Sequence, residues 1–157
     1  FGTRTYDQGI DQRRSQVLMP FVLDTSVTMA WHFPDELSAP TQRLRERCDH
    51  DSIVVPSHWA AEVGNALIVG ERRQRATAAQ TADFVDQLFD IPREVDVLMP
   101  DQVLRNVMPL ARAHRLTIYD ALYLELAERR GLALATLDDQ LADAAKSVGV
   151  EVLGQEA

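Results

Sequence analysis

Short apolar runs alternate with longer stretches whose apolar residues recur every three or four positions, and the alternation holds over residues 20–153. The short runs have the length of buried strands, and the longer ones have helical periodicity. Residues 20–23 form the first run. Residues 26–32 then predict a short helix, residues 34–36 a loop, and Ser38 the cap of a helix reaching residue 49 with Leu44 and Cys48 on one face. Residues 52–55 are the second strand, closed by Pro56, and Ser57 is the expected cap of a helix through residue 73. Thr77-Ala78-Ala79-Gln80 has capping-box form and opens a helix with Phe84, Leu88 and Phe89 as core candidates.

The second half repeats the rhythm. Residues 94–98 predict a third strand, stopped by Pro100, and residues 101–114 a helix that Pro109 should kink or split. Thr117 caps a very apolar helix over residues 118–130, ended by Gly131. Residues 132–135 are a fourth strand, 138–147 a helix, and 150–153 a fifth strand after the break at Gly149. Strands alternating with helices imply an α/β fold: a parallel sheet covered on both faces, with right-handed crossovers. No internal repeat or interdomain linker interrupts it, so residues 19–157 read as a single domain. Residues 1–18 are polar and aperiodic, lack the apolar stretch of a signal peptide, and are expected to be an added or disordered tail, with Met19 as the natural start.

Charge sharpens the picture. The net charge is −8, and because residues 1–18 hold three Arg and two Asp, residues 19–157 carry −9. That argues against a generic nucleic-acid coat but not against a nuclease whose acids hold metal. Of the 16 basic residues only Lys146 is a lysine. The arginines cluster at Arg43/Arg45/Arg47, Arg72/Arg73/Arg75, Arg112/Arg115 and Arg129/Arg130; they suit bidentate phosphate contact or, more simply, the solvated faces of helices. The lone cysteine, Cys48, excludes a disulfide framework, fits a reducing compartment such as the cytoplasm, and reads as a buried apolar residue rather than a nucleophile. No apolar run approaches the roughly 20 residues that span a bilayer.

Four carboxylates stand where chemistry is expected. Asp24 leaves the carboxyl end of the first strand, where open α/β sheets bind ligands; its plainer role is a helix N-cap. Glu62 lies mid-helix among Trp59, Ala60, Ala61, Val63, Ala66 and Leu67, with His58 and Asn65 on its face; otherwise it simply meets solvent. Asp120 sits in Ile118-Tyr119-Asp120-Ala121-Leu122-Tyr123-Leu124, where a bare charge is costly to bury; Thr117-x-x-Asp120 is also close to a capping box. Asp138 and Asp139 follow the fourth strand. One is expected to cap the next helix and leave the other free; Asp138 is favoured as the ligand and Asp139 as an accessory acid.

Such an all-oxygen set suits Mg²⁺ or Mn²⁺ rather than zinc, and no His/Cys zinc spacing exists. Clustered carboxylates need cations to stay ionised together, which is the usual setting for metal-assisted phosphodiester hydrolysis. A haloacid-type phosphatase needs an aspartate where Ser26 stands. A receiver domain needs an acidic pair at the first strand and a lysine after the last, whereas Lys146 precedes it. A catalytically silent binding module, its acids merely capping helices, is the reading from a different class.

Taken together, Phe21-Val22-Leu23-Asp24-Thr25-Ser26, Ala61-Glu62-Val63-Gly64-Asn65-Ala66-Leu67, Thr117 to Ala127 and Leu134-Ala135-Thr136-Leu137-Asp138 resemble the PIN-domain family, and within it the VapC-type ribonuclease toxins. The resemblance covers residues 19–153. It implies a five-stranded sheet in order 3-2-1-4-5, with strands 1 and 4 meeting at the switch point. It implies that Asp24, Glu62, Asp120 and Asp138 are the catalytic, metal-binding set, supported by Ser26, Asn65 and Thr136. It also implies a Mg²⁺- or Mn²⁺-dependent endoribonuclease acting on structured RNA, a homodimer, and a cognate antitoxin. Trp31 and Phe33 are candidates for the antitoxin surface or for plain core.

Overall fold

The computed structural model describes residues 19–156; the expectation for residues 1–18 lies outside them. The chain runs β1 (Phe21–Leu23), α1 (Thr25–His32), α2 (Ala39–Arg47), β2 (Ile53–Pro56), α3 (Trp59–Arg72), α4 (Ala78–Phe89) and β3 (Arg93–Asp96). It continues with α5 (Pro100–Gln102), α6 (Met108–His114), α7 (Ile118–Arg130), β4 (Leu134–Ala135), α8 (Asp139–Ser147) and β5 (Val152–Leu153). The five strands form one parallel sheet in order β3-β2-β1-β4-β5.

The uncharged runs became the central strands because those are buried on both faces. Phe21, Val22 and Leu23 are all 0% exposed, with Phe21 opposite Ile53 and Leu23 opposite Ala135. The charged run Arg93-Glu94-Val95-Asp96 became an edge strand, where charge guards against stray pairing. Right-handed crossovers put the helices of the leftward connections, α1 to α4, on one face and those of the rightward connections, α5 to α8, on the other. In agreement, α1 packs on α2 and α3, while α7 packs on α6, α8 and the sheet.

Several local expectations are refined or give way. The split expected at Pro109 is realised in a particular form: residues Val103–Val107 make a π-helical turn between α5 and α6, and the Met108 N–H reaches back to the Val103 carbonyl. Pro109 has no N–H for the Arg105 carbonyl and its ring crowds that group, so a wider turn just before it absorbs the conflict. Ser57 does not cap α3; His58 takes the N-cap position without a side-chain capping bond. Phe89 is 68% exposed rather than core, because it ends α4 beyond the Phe84/Leu88 stripe; the Arg93 guanidinium lies 4.8 Å from its ring centre. Phe33 is core, not surface, packed so close to α3 that a Cβ at Gly70 would lie 2.5 Å from its ring. Trp31 is half-buried and donates its indole N–H to the Thr41 carbonyl at 2.8 Å. Cys48 is buried, and burial pushes its thiol up to about 11, which makes it inert.

Candidate active site

The site begins where β1 and β4 end side by side. Because Leu23 pairs with Ala135, the next residue on each strand, Asp24 and Thr136, emerges at the same point. The Asp24 N–H donates to the Ala135 carbonyl at 3.0 Å, and Asp24 becomes the residue before α1. Its side chain does not cap that helix. Instead Oδ2 accepts two hydroxyl protons, from Ser26 and from Thr136, both at 2.7 Å. Ser26 Oγ in turn accepts the Leu137 N–H at 2.9 Å, and Thr136 Oγ1 accepts the Asp138 N–H at 3.1 Å. Two loops are thus laced together through one carboxylate oxygen. Oδ1 has no hydrogen-bond partner among the described residues.

Burial dominates the electrostatics of Asp24. It raises the carboxyl to about 6, the two hydroxyls oppose the rise, and the charges of Asp120 and Glu62 add to it. Asp120, half-buried at the start of α7, is also raised, first by burial and then by Asp138. Thr117 accepts the Asp120 N–H at 3.1 Å, but no reciprocal bond returns from the carboxylate. The capping box is therefore half-formed: the nearby Thr117 side chain opposes the rise, but the Asp120 carboxylate makes no bond to the Thr117 backbone N–H.

Glu62 has the opposite sign. Burial would raise it, but contacts with His58, Tyr123 and Thr25 outweigh burial and hold its carboxyl below the usual range. Tyr123 Oη donates to Glu62 Oε1 at 2.6 Å, and Thr25 Oγ1 lies 3.4 Å from the same oxygen. His58 Nε2 is 3.0 Å from it but off the line of a hydrogen bond, so neither ring nitrogen is satisfied. Burial and the Glu62 contact push the Tyr123 phenol far above its ordinary range, so it stays a donor.

Asp138 and Asp139 answer differently from expectation. Asp138 caps α8, with Oδ1 accepting the Leu141 N–H at 2.7 Å, yet its charge is also the one that acts on Asp120. Capping uses one oxygen of a carboxylate and leaves the other, so the two roles do not exclude each other. Asp139 lines a separate cleft with Glu36, Ser38 and Gln155. Asn65 is exposed one turn beyond Glu62 and makes no side-chain hydrogen bond to the group among the described residues. Sequence reasoning missed Tyr123, absorbed into an apolar helix; its signal was a phenol in a buried run, which needs a polar partner.

Asp24, Glu62 and Asp120 therefore share one electrostatic neighbourhood, with Asp138 beside Asp120. Among the described residues no three His, Cys, Asp or Glu side chains draw together into a ready metal cage. The donor set nonetheless fits a hard dication. All donors are oxygen, Asp24, Glu62 and Asp138 each keep one oxygen without a hydrogen-bond partner among the described residues, and no Lys or Arg pairs with any of the four among those residues. Mg²⁺ needs only one or two carboxylates and retains several waters, so an open arrangement suits it better than a closed cage. An apolar hollow of about 240 Å³ lined by Trp59, Val63, Leu67 and Phe89 holds none of these acids.

Comparison with known proteins agrees with this geometry. The PIN-domain family model matches residues 21–147. Ribonuclease VapC3 of Pyrobaculum aerophilum is 31% identical over 125 residues, covering 80% of this chain and 94% of that protein. Ribonuclease VapC3 of Mycobacterium tuberculosis is 38% identical over 110 residues, 70% of this chain and 74% of that one. A crystal structure from Pyrobaculum aerophilum superposes with a TM-score of 0.64 at 23% identity, covering 96% of this chain and 92% of that one. The VapBC2 structure of Rickettsia felis, bound to a DNA fragment from its promoter, gives 0.58 at 13% identity, covering 85% and 97%. At such identities the two structures speak for the fold. With the family model and the ribonuclease sequences beside them, the chain belongs to the PIN-domain family, on the branch of the VapC ribonucleases.

Proposed function

We propose that this chain is a Mg²⁺- or Mn²⁺-dependent endoribonuclease, the toxin of a toxin–antitoxin pair, cutting phosphodiester bonds in single-stranded or loop segments of structured RNA. One observation carries the reading: buried Asp24 shares its surroundings with Asp120 and Glu62 and has no cationic partner among the described residues. Burying such a charge is unfavourable, and a dication is the simplest complement. The ribonuclease names of the relatives support the reaction class.

The residues divide the work. Ser26 and Thr136 fix Asp24 by one oxygen and present the other. Asp138 does the same with its capping oxygen, and Asp120 contributes an uncommitted carboxylate. The ion would supply charge neutralisation at the phosphate and easier deprotonation of water. Without a cation, Asp24 and Asp120 hold their protons more tightly than ordinary carboxyls, so metal binding is accompanied by proton release. RNA loops, whose backbone is accessible, are the natural substrate.

A partner antitoxin is part of the proposal, supported by the toxin–antitoxin pair in the Rickettsia felis structure. The buried Phe33 does not serve its surface; large exposed apolar side chains occur instead at Val97, Met99, Leu104 and Tyr119. No helix among the described residues is long and apolar enough to cross a membrane, and we place the protein in the cytoplasm as a homodimer. A silent binding module is the second reading, favoured by the capping role of Asp138. Cleavage of total cellular RNA with Mn²⁺, with EDTA and by Asp24→Ala separates the two. Discrete fragments seen only with metal and intact Asp24 support the nuclease. Identical RNA patterns in all three sink it.

A further inference from the structure

Every side-chain contact of Glu62 among the described residues falls on Oε1. Tyr123 Oη is 2.6 Å from it, His58 Nε2 3.0 Å and Thr25 Oγ1 3.4 Å, while Oε2 is unclaimed. Tyr123 and Thr25 also touch each other, hydroxyl to hydroxyl, at 3.0 Å. The placement is specific. Tyr123 is 0% exposed, one turn along α7 from Asp120, and Thr25 directly follows Asp24. A single phenol thus joins the three elements that carry Asp24, Glu62 and Asp120.

We propose that Tyr123 is a positioning residue, a strut that locks Glu62 by one oxygen, with Thr25 bracing it, so that Oε2 is left to face a divalent cation. The proposal rests on the metal-dependent nuclease reading. A half-buried glutamate on a helix otherwise samples many rotamers, and ordering it when the ion arrives weakens binding. Pre-ordering by a rigid, buried donor removes that loss, as partners behind metal ligands generally do. Asp24 is held the same way, by two hydroxyls on Oδ2. A phenol that merely needed a partner could be met by any carbonyl and would not need to bridge these elements.

The test is Tyr123→Phe in the full chain, which keeps the ring and removes the hydroxyl. Mn²⁺ affinity by calorimetric titration is expected to fall roughly 10- to 100-fold, with kcat for RNA cleavage falling and KM for RNA unchanged. Introduced into Glu62→Ala, the same change is expected to weaken Mn²⁺ no further, because the strut acts only through Glu62. Thr25→Val should show a smaller loss that Thr25→Ser restores, and this pair decides the matter if Tyr123→Phe does not fold. Wild-type Mn²⁺ affinity and kcat in Tyr123→Phe, or an equal loss in the Glu62→Ala background, would overturn the strut and leave the nuclease standing. A wild-type protein that cleaves RNA in EDTA and takes up no Mn²⁺ would overturn both.

Discussion

Helix α7 carries two acids that meet burial in opposite ways. Glu125, 9% exposed, is matched by Arg129, whose Nε donates to Oε1 at 2.7 Å and whose NH2 reaches Asp96 at 2.6 Å. Arg130 adds a bidentate pair with Glu94 at 2.8 and 3.0 Å. Five residues earlier on the same helix, Asp120 stands with Asp24, Glu62 and Asp138, and no Arg or Lys among the described residues answers any of them. Asp24, at 5% exposed, is even more buried than Glu125 and has only hydroxyls. The Glu125 cluster is a finished ionic structure. The Asp120 cluster lacks a Lys or Arg partner among the described residues, and that open charge balance is what the proposed dication would complete.

The comparison can be broken by mutation. The largest effect is expected at the unfinished end: Asp120→Ala removes one of the carboxylates proposed to hold the dication, and RNA cleavage should fall on the order of a thousandfold or more. Circular dichroism should show the fold kept; a chain that unfolds would show Asp120 to be structural. Next comes Arg129→Met, which strands Glu125 and leaves Asp96 only the longer contact with Arg130 at 3.8 Å. With the guanidinium 39% exposed, stability should drop by about 2–3 kcal/mol and Tm by about 5–10 °C, with Mn²⁺ affinity unchanged.

Asp24→Asn should do the reverse in the metal-free chain, removing cleavage while raising stability by about 1–2 kcal/mol at neutral pH. The sign follows from protons. Folded Asp24 holds its proton up to about 6 against 3.8 ordinarily, so the folded state binds more protons across that window. Stability of the metal-free protein therefore falls as pH rises between these values, by about 2 kcal/mol from Asp24 alone, and the slope should flatten in Asp24→Asn. Glu62, held low, works the other way and stabilises above its ordinary range. Urea titrations at pH values on either side of the window check this. Smallest of all is Arg130→Ala: its close partner Glu94 is solvent-exposed, its contact with Asp96 is long at 3.8 Å and Arg129 still holds Asp96, so no measurable change in melting is expected. A clear drop would mean that the finished cluster works as one network.

What could be read without coordinates divides along physical lines. Strands 1, 2 and 4 were legible because burial on both faces forces an uncharged run, bounded here by prolines and polar turns. Strand order came from the family resemblance rather than from the runs. Asp24, Glu62 and Asp120 stood out because a carboxylate among apolar neighbours needs a reason. Which oxygen each uses, and for what, was not legible. The Thr25–Tyr123 contact joins residues 98 positions apart, and no local pattern encodes it. Sequence counts residues, not oxygens, so for Asp138 it presents capping and the site as a choice. Phe89 was misplaced because a helical stripe fixes a face but not where the neighbouring element stops covering it. Ser57 yielded to His58, whose ring packs 5.0 Å from that of Tyr123.

The hydrogen bond from Thr136 to Asp24 spans 112 positions of chain. During synthesis, β1, Asp24 and Ser26 emerge early and wait for almost the whole remaining domain before Thr136 and Asp138 can close around them. A ribosome that stalls anywhere before β4 releases a fragment without that clasp. The carboxyl end of β1 thus acquires its final arrangement only when β4 is in place.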